Sequence, residues 1–345
     1  MAVTIKDVAK AAAVSPSTVS RVIADHPHIS EETKKRVRKE MKKLGYHPNF
    51  QARSLVVRST EAIGIVMPNS ATQALQNPFF PEVLRGISMK AHEDKFGVYL
   101  TTGITDDEIF EQVVSMVQGR RVDGIILLYS KTDDKIMKYL LEENFPFTVI
   151  GRPYKNAERI TYVDNDNIYI TKQVTDYLIN LGHSKIAFIG VNLDYVFTID
   201  RLEGYKHALH EAGIPFDETY IIHEQCLKSE GKEGITKFLS SHEPPTALVV
   251  ADDFMAIELM SYSEELNIKL PEEISIVSFN DVPLTEHMKP QLTSVNIDIF
   301  QLGFEAANCL IEIIKNPKTL SKRITIPAKM VERKSCSAIE AGTKH

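Results

Sequence analysis

Seven short apolar runs, spaced along the chain from residue 61 onward and separated by amphipathic stretches, constrain this sequence more than any other feature. They are AIGIVMP (62–68), GVYLTT (97–102), DGIILLY (123–129), FTVIG (147–151), KIAFIG (185–190), TALVVAD (246–252) and ISIVSFN (274–280). Runs this short and rich in Ile and Val suit strands buried on both faces, and strands alternating with helices form parallel sheets carrying helices on each side. About 280 residues of this pattern are more than one sheet organises, so the expectation is an α/β body of two doubly wound lobes.

Open sheets of this type bind ligands beyond the carboxyl ends of their strands. That rule nominates Asn69, Gly151, Arg152, Asp164, Asp252, Asp253, Asn280 and Asp281. The glycines spell neither G-x-G-x-x-G nor a P-loop, and the sequence contains no nucleophile elbow, paired acid and base or metal-ligand spacing. An enzyme on a doubly wound fold is therefore the weaker reading, with no catalytic residue, metal or cofactor expected. Cys226, Cys309 and Cys336 are odd in number and far apart, and read as buried or incidental thiols. The scattered histidines, His183 in LGHSK among them, read as structural. No apolar run approaches the roughly 20 residues of a membrane span, and the N-terminus lacks a signal-peptide pattern. A cytoplasmic protein with no membrane partner is expected.

The first sixty residues have a different character. TIKDVAKAAAVSPSTVSRVI, from Thr4 to Ile23, reads as two short helices joined by a tight turn. Thr4 with Asp7 has capping-box spacing, and Ser15 with Pro16 supplies a second start, since Ser accepts from first-turn amides and Pro lacks only a donor that had no partner. Ala9, Ala11, Ala12 and Ala13 keep the crossing of the helices small, while Val8, Val19, Val22 and Ile23 supply apolar contacts. This is helix-turn-helix spacing. The second helix offers Ser17, Thr18, Ser20 and Arg21, short hydroxyls plus a guanidinium able to fork onto a guanine edge.

Beyond it, Ser30 caps a third helix with Glu31 and Glu32 in the favourable first turn, Val37, Met41 and Leu44 share one face, and Gly45 ends the helix. Asn49 then caps the segment FQARSLVV, whose two turns are marginal as a helix in water. Charge separates the two regions. Residues 1–58 hold 12 Lys and Arg against 5 Asp and Glu, a balance of +7, whereas the remainder holds 28 against 41, a balance of -13. A basic head attracts phosphate and an acidic body is repelled by it, which orients an encounter with nucleic acid.

TIKDVAKAAAVSPSTVSRVI followed by HISEETKKRVRKEMKKLGYHPNFQARSL closely resembles the head of the lactose/galactose repressor (LacI/GalR) family of bacterial regulators. The resemblance implies that Pro16, Ser17 and Arg21 read bases, and that Thr4, Ser15, Thr18, Ser20 and His28 contact phosphates or brace the head. It also implies a hinge helix with Asn49, Ala52 and Leu55 at matching positions, Leu55 wedging into the minor groove beside its partner's copy. Family members usually carry Asn where this chain has Ala24, which removes one expected backbone contact.

The body resembles the family's sensor domain, a type I periplasmic-binding-protein-like fold, through VDGII, LGHSKIAFIG, DRLEGY, VVADDFMAIELM and SIVSFND. In that fold the chain crosses between lobes three times and the effector sits in the cleft. The resemblance places Asp252, Asn280 and the clamp Arg201 on the effector, with Phe79, Phe80, Tyr195 and Phe197 lining the cleft; Asn69, nominated by the strand-end rule, completes the expected effector site. Carboxylates, amides, one Arg and aromatic faces suit a sugar, and no basic cluster answers a phosphate. NPFFPEVLRGI, with aromatics at 195 and 197, is similar to maltose-operon regulators of Gram-positive bacteria, which points to maltose or a related α-glucoside. The alternative within the family is a global catabolite regulator controlled by a phosphorylated carrier protein.

The expected domains are a head at 1–48, a hinge and linker at 49–60, and a body at 61–345. Within the body, the first lobe takes 61–162 and 291–322 and the second takes 163–290 and 323–337. The last residues, SAIEAGTKH, hold no heptads for a tetramerising coiled coil, so a homodimer on pseudo-palindromic operator DNA is expected. A repressor released by its sugar is the resulting functional expectation.

Overall fold

The computed structural model describes residues 3–46, 59–68, 74–223, 233–239, 241 and 243–339. The chain divides into two units, Met1–Thr60 and Glu61–His345.

Among its described residues the first unit has three helices, α1 (Ile5–Ala11), α2 (Pro16–Ile23) and α3 (Glu31–Leu44). Local chemistry sets their ends. The Asp7 carboxylate accepts from the Thr4 backbone N–H at 2.8 Å and from its hydroxyl at 2.7 Å. Ser15 Oγ accepts from the Thr18 N–H, Ser30 Oγ accepts from the Thr33 N–H, and Gly45 closes α3 in the left-handed region at φ 65°. Val8, Ala9, Ala12, Val19, Val22 and Val37 form the small core. Of the four alanines expected at the helix crossing, only Ala9 and Ala12 are buried; Ala11 and Ala13 face solvent. Ala13 has φ 53° because the turn requires a left-handed residue there.

Among its described residues the second unit holds two six-stranded sheets. The first contains β1 (Ala62–Val66), β2 (Gly97–Leu100), β3 (Gly124–Leu127), β4 (Phe147–Ile150), β5 (Thr161–Asp164) and β11 (Arg323–Thr325), ordered β11-β5-β4-β3-β1-β2. The second contains β6 (Ile186–Val191), β7 (Ile221–His223), β8 (Ala247–Val250), β9 (Ser275–Phe279), β10 (Thr293–Asn296) and β12 (Lys329–Val331), ordered β12-β10-β9-β8-β6-β7. The first lobe carries helices α4 (Phe79–Glu93), α5 (Asp106–Gln118), α6 (Lys135–Glu142) and α10 (Ile299–Lys315). The second carries α7 (Asn167–Asn180), α8 (Val196–Glu211) and α9 (Asp253–Glu265).

Pairing is parallel except between β10 and β12. Residues 326–328 join β11 of the first sheet to β12 of the second. The run GVYLTT becomes edge strand β2, with Val98 and Tyr99 41% and 51% exposed rather than covered on both faces.

Glycine permits two close helix contacts. A Cβ on Gly86 of α4 would lie 2.1 Å from the Phe300 carbonyl oxygen, and one on Gly303 of α10 would lie 2.2 Å from that of Val83. The helices α4 and α10 thus meet backbone to backbone, with Ile87, Leu302 and Ala306 buried beside them. Cys309, on the same helix as Gly303, is buried, and Cys336 is half-buried.

The lobe boundaries differ from expectation at three places, the first being β5, which carries the first sheet to Asp164, past the expected boundary at 162. Residues 293–296 belong to the second sheet, paired with β9, and residues 323–325 belong to the first, paired with β5. Hydrogen-bond partners in distant parts of the chain decide this. The chain therefore passes between sheets after β5, after β10 and after β11. Asn165, at the first passage, donates through Nδ2 to the carbonyls of Ile297 at 3.0 Å and Ile326 at 2.9 Å, which lie at the other two. One buried amide fastens all three connections.

Candidate functional site

The helical head presents a polar face built on α2. Ser15 is its cap and Pro16 its first residue; Ser17 Oγ lies 2.7 Å and Thr18 Oγ1 2.9 Å from Ser15 Oγ. Ser20 and Arg21 are exposed, Thr18 is half-buried, and Thr4, the cap of α1, and His28, in the loop before α3, are exposed. The basic run KKRVRKEMKK is not uniformly presented. Lys34 is buried, with Nζ 3.1 Å from Asp25 and 3.0 Å from Glu31, and Arg38 also pairs with Asp25 at 2.7 Å. Those two cations brace the loop onto α3, whereas Lys35, Arg36, Lys39, Lys42 and Lys43 remain exposed. Asn49, Ala52 and Leu55 of the expected hinge, and Asn69 of the expected cleft, lie outside the described residues.

In the body a cavity of about 410 Å³ opens between the lobes, where the carboxyl ends of β1, β3, β4, β5, β6, β8 and β9 converge. It falls within the usual size of small-molecule sites. Phe79, Phe80, Tyr195, Phe197, Arg201, Asp252 and Asn280 all line it, as do Gly151 and Asp164. The strand-end rule misplaces three residues. Arg152 turns to Asp200, Asp253 is enclosed by Ser278, Ser294 and the Val282 N–H, and Asp281 pairs with Arg333.

Aromatic rings flank the cavity in two pairs, Phe79 with Phe80 at 5.2 Å between centroids and Tyr195 with Phe197 at 5.9 Å. Arg201 sits between rings, its guanidinium carbon 3.9 Å from the Phe279 centroid and 5.1 Å from that of Phe197. Its Nε donates to Asn167 Oδ1 at 2.9 Å and its Nη1 to the Ala251 carbonyl at 2.8 Å. Complete burial lowers its pKa to about 10, against the pull of Asp164, Asp252 and Asp253. It stays protonated at neutral pH. Asp252 caps α9 by accepting from the Met255 N–H at 2.8 Å, and its second oxygen meets Asn77 Nδ2 of the other lobe at 3.3 Å.

Several lining residues escaped sequence reasoning, namely Asn77, Lys131, Asn165, Asn167, Asp194 and Thr198. Thr198 stands one helical turn before Arg201 on α8, a spacing that could have nominated it, and its buried hydroxyl has no hydrogen-bond partner among the described residues. Asn77 had no such signal, because the fold alone brings it to Asp252. His183 is outside the cleft: it bonds Thr246, Ser275 and the Ser337 carbonyl.

A three-helix head with a polar second helix, and a two-lobed body with a polar and aromatic cleft, match two family models. Residues 4–49 match the bacterial regulatory proteins of the lacI family, and residues 175–336 match a periplasmic binding protein-like domain. The HTH-type transcriptional regulator MalR of Streptococcus pneumoniae is 40% identical over 96% of this chain and 100% of its own length. The chain belongs to the lacI family. A second relative, the MalR of Staphylococcus xylosus, is 34% identical over 98% of this lacI-family chain and 99% of its own. Among solved structures, a CelR–cellobiose complex superposes with a TM-score of 0.74 at 31% identity, covering 96% of this chain and 99% of that one.

For a lacI-family regulator the cleft chemistry is selective. Its cationic groups are Arg201 and Lys131, the latter 5.4 Å and 5.7 Å from the Tyr129 and Tyr195 centroids and 3.5 Å from an Asp106 oxygen. Five amides, carboxylates and ring faces supply the rest. Among the described residues no helix is long and apolar enough to cross a membrane, and no cluster of side chains could hold a metal ion.

Proposed function

We propose that this regulator represses a sugar-utilisation operon and that maltose, or a related α-glucoside, releases it from its operator. The observation that carries this reading is the cavity between the lobes, in which hydrogen-bonding side chains lie beside two aromatic pairs and no cluster of cations awaits a phosphate. Carboxylate and amide groups take hydroxyls, a guanidinium donates in a fork, and ring faces cover the apolar face of a pyranose. Relatives named for maltose regulation at 40% and 34% identity, and a relative crystallised with cellobiose, support a neutral disaccharide.

Arg201, Asp252 and Asn280 are the polar hold on the sugar in this reading, and Phe79, Phe80, Tyr195 and Phe197 its aromatic walls. Pro16, Ser17 and Arg21 read bases, while Thr4, Ser15, Thr18, Ser20 and His28 serve the backbone. A cytoplasmic homodimer sets two heads against a pseudo-palindromic operator, with Asn49, Ala52 and Leu55 in the hinge between them. The protein acts by binding alone, without catalysis.

A thermal-shift screen over maltose, maltotriose, sucrose, trehalose, glucose 6-phosphate and purines tests the ligand. A ligand at 100 times its Kd stabilises by about 2.7 kcal/mol, and maltose or another α-glucoside is expected to give that shift. Arg201→Ala and Asp252→Ala should fold, bind operator and fail to release it with maltose. Response to glucose 6-phosphate alone, or release of DNA by the mutants at the wild-type sugar concentration, would overturn the reading.

A further inference from the structure

Arg201 is a buried guanidinium with no carboxylate at salt-bridge distance among the described residues, so neutral groups hold its direction. Two do so, the Ala251 carbonyl and the Asn167 side chain, while Nη2 makes no hydrogen bond among the described residues. Asn167 is itself held from the other side: its Nδ2 donates to Asp164 Oδ1 at 3.0 Å and, more weakly, to the Asn165 carbonyl at 3.4 Å. Asp164 in turn accepts from the Arg152 N–H at 2.8 Å and the Asn165 N–H at 2.8 Å.

The amide of Asn167 therefore stands between an ionised carboxylate, which only accepts, and a guanidinium, which only donates. One orientation satisfies both neighbours. A flipped amide would set its NH₂ against the Arg201 Nε–H and its oxygen against the carboxylate.

We propose that Asn167 is the positioning residue that aims Arg201 into the cleft, and that ionised Asp164 fixes the direction of its amide. The proposal rests on the reading that Arg201 holds the ligand. It assigns Asn167 no contact with the ligand; its action runs through the arginine.

A consequence is that the clamp reads pH. The charged groups facing Asp164 are Arg152, from the turn after β4, and Asp200 and Arg201, from α8; Arg152 and Asp200 pair with one another at 2.6 Å. On the β11 side its register partner is the uncharged Thr325. Burial raises the Asp164 pKa to about 6, with Asp200 adding to the rise and Arg201 and the two backbone donors opposing it. A proton on Asp164 removes the negative charge that draws the Asn167 NH₂ and makes the carboxyl a donor as well as an acceptor, so the amide, and with it the Nε acceptor of Arg201, is held less firmly.

The test uses the full-length protein with maltose as probe, titrated calorimetrically from pH 7.5 to pH 5. Where only the ionised form of a group near 6 supports binding, linkage makes the Kd rise roughly tenfold over that range. Asn167→Ala and Asp164→Asn should each weaken binding at pH 7.5 and flatten the profile, which a merely structural substitution would leave sloped. A ligand-free measurement stands beside it. The ¹⁵N–¹H resonance of Arg201 Nε, assigned by its loss in Arg201→Lys, should shift with a midpoint near pH 6 in wild type and stay fixed in Asp164→Asn. An Asn167→Ala protein with wild-type affinity and slope, or an Arg201 resonance indifferent to pH, overturns the proposal. If maltose fails to bind the wild type at pH 7.5, the ligand reading falls, and the resonance alone then decides whether Asn167 aims the arginine.

Discussion

Arg21 and the two buried carboxylates of the body illustrate how single side chains carry separable consequences. Arg21 is exposed on α2, and a guanidinium there can fork onto the O6 and N7 of guanine. Arg21→Ala should cost about 1 to 3 kcal/mol per half-site and relax preference at one base position. Anisotropy titrations against operator and scrambled DNA check this, and equal weakening on both would reassign Arg21 to phosphate. Asp164 and Asp253 bear on stability. Burial lifts both from 3.8 to about 6, with hydrogen bonds from Ser278, Ser294 and the Val282 N–H restraining the rise at Asp253. The native state therefore binds two protons that the unfolded chain releases near 4. The stability from these groups is complete below about pH 4 and lost as pH rises through 6, by up to about 3 kcal/mol each. Surface carboxylates such as Asp94, held low by Lys315 and Lys90, act oppositely and only below about pH 4. The urea midpoint should therefore rise from pH 7.5 to pH 5, and Asp253→Asn should reduce that rise. The body thus gains stability in the window where its ligand clamp loosens, so weaker binding there is not unfolding.

Among the elements, α4 and α10 form the tightest contact of the first lobe. Gly303→Ala would place a methyl 2.2 Å from a backbone oxygen, which neither rotamer change nor solvent can relieve. The expected loss is about 1 to 3 kcal/mol, as for overpacked cores, read from the thermal midpoint. Gly45→Ala, by contrast, meets nothing within 4 Å and bears only the left-handed backbone cost of about 1 to 2 kcal/mol. The same distinction explains what could be read from sequence. Helix ends in the head are written locally, in Ser15 with Pro16, in Ser30 and in Gly45, and each appears where its chemistry requires. Strand ends are nearly as local, and Asp164, Asp252 and Asn280 reach the cavity by that rule. Asn165 and Asn167 reach it from the passage after β5, and Asn77 from the segment between β1 and α4, placements that no short pattern encodes. Lys34 was equally hidden, for a lysine within a basic run gives no sign that Asp25 and Glu31 will bury it. The same holds for β10 and β11, whose sheet membership depends on partners elsewhere in the chain.

At the scale of the molecule, the proposed switch couples two sites through the body, and coupling of binding free energies is reciprocal. If maltose weakens operator affinity by some factor, typically 5 to 150, operator DNA must weaken maltose affinity by the same factor. Calorimetry of maltose with and without saturating operator should return it. Unequal factors would mean that a third state, or a change in assembly, intervenes. How the body could move is prefigured at Asn165, whose side chain grips the backbone at Ile297 and Ile326 while its own backbone forms the remaining connection. Three tethers gathered at one point have the build of a swivel, about which a turn of the lobes would stretch the connections less than a slide or a parting. The cleft beside that swivel sits at the short arm of a lever, so a modest adjustment around a bound molecule becomes a larger sweep at the far rim of each lobe.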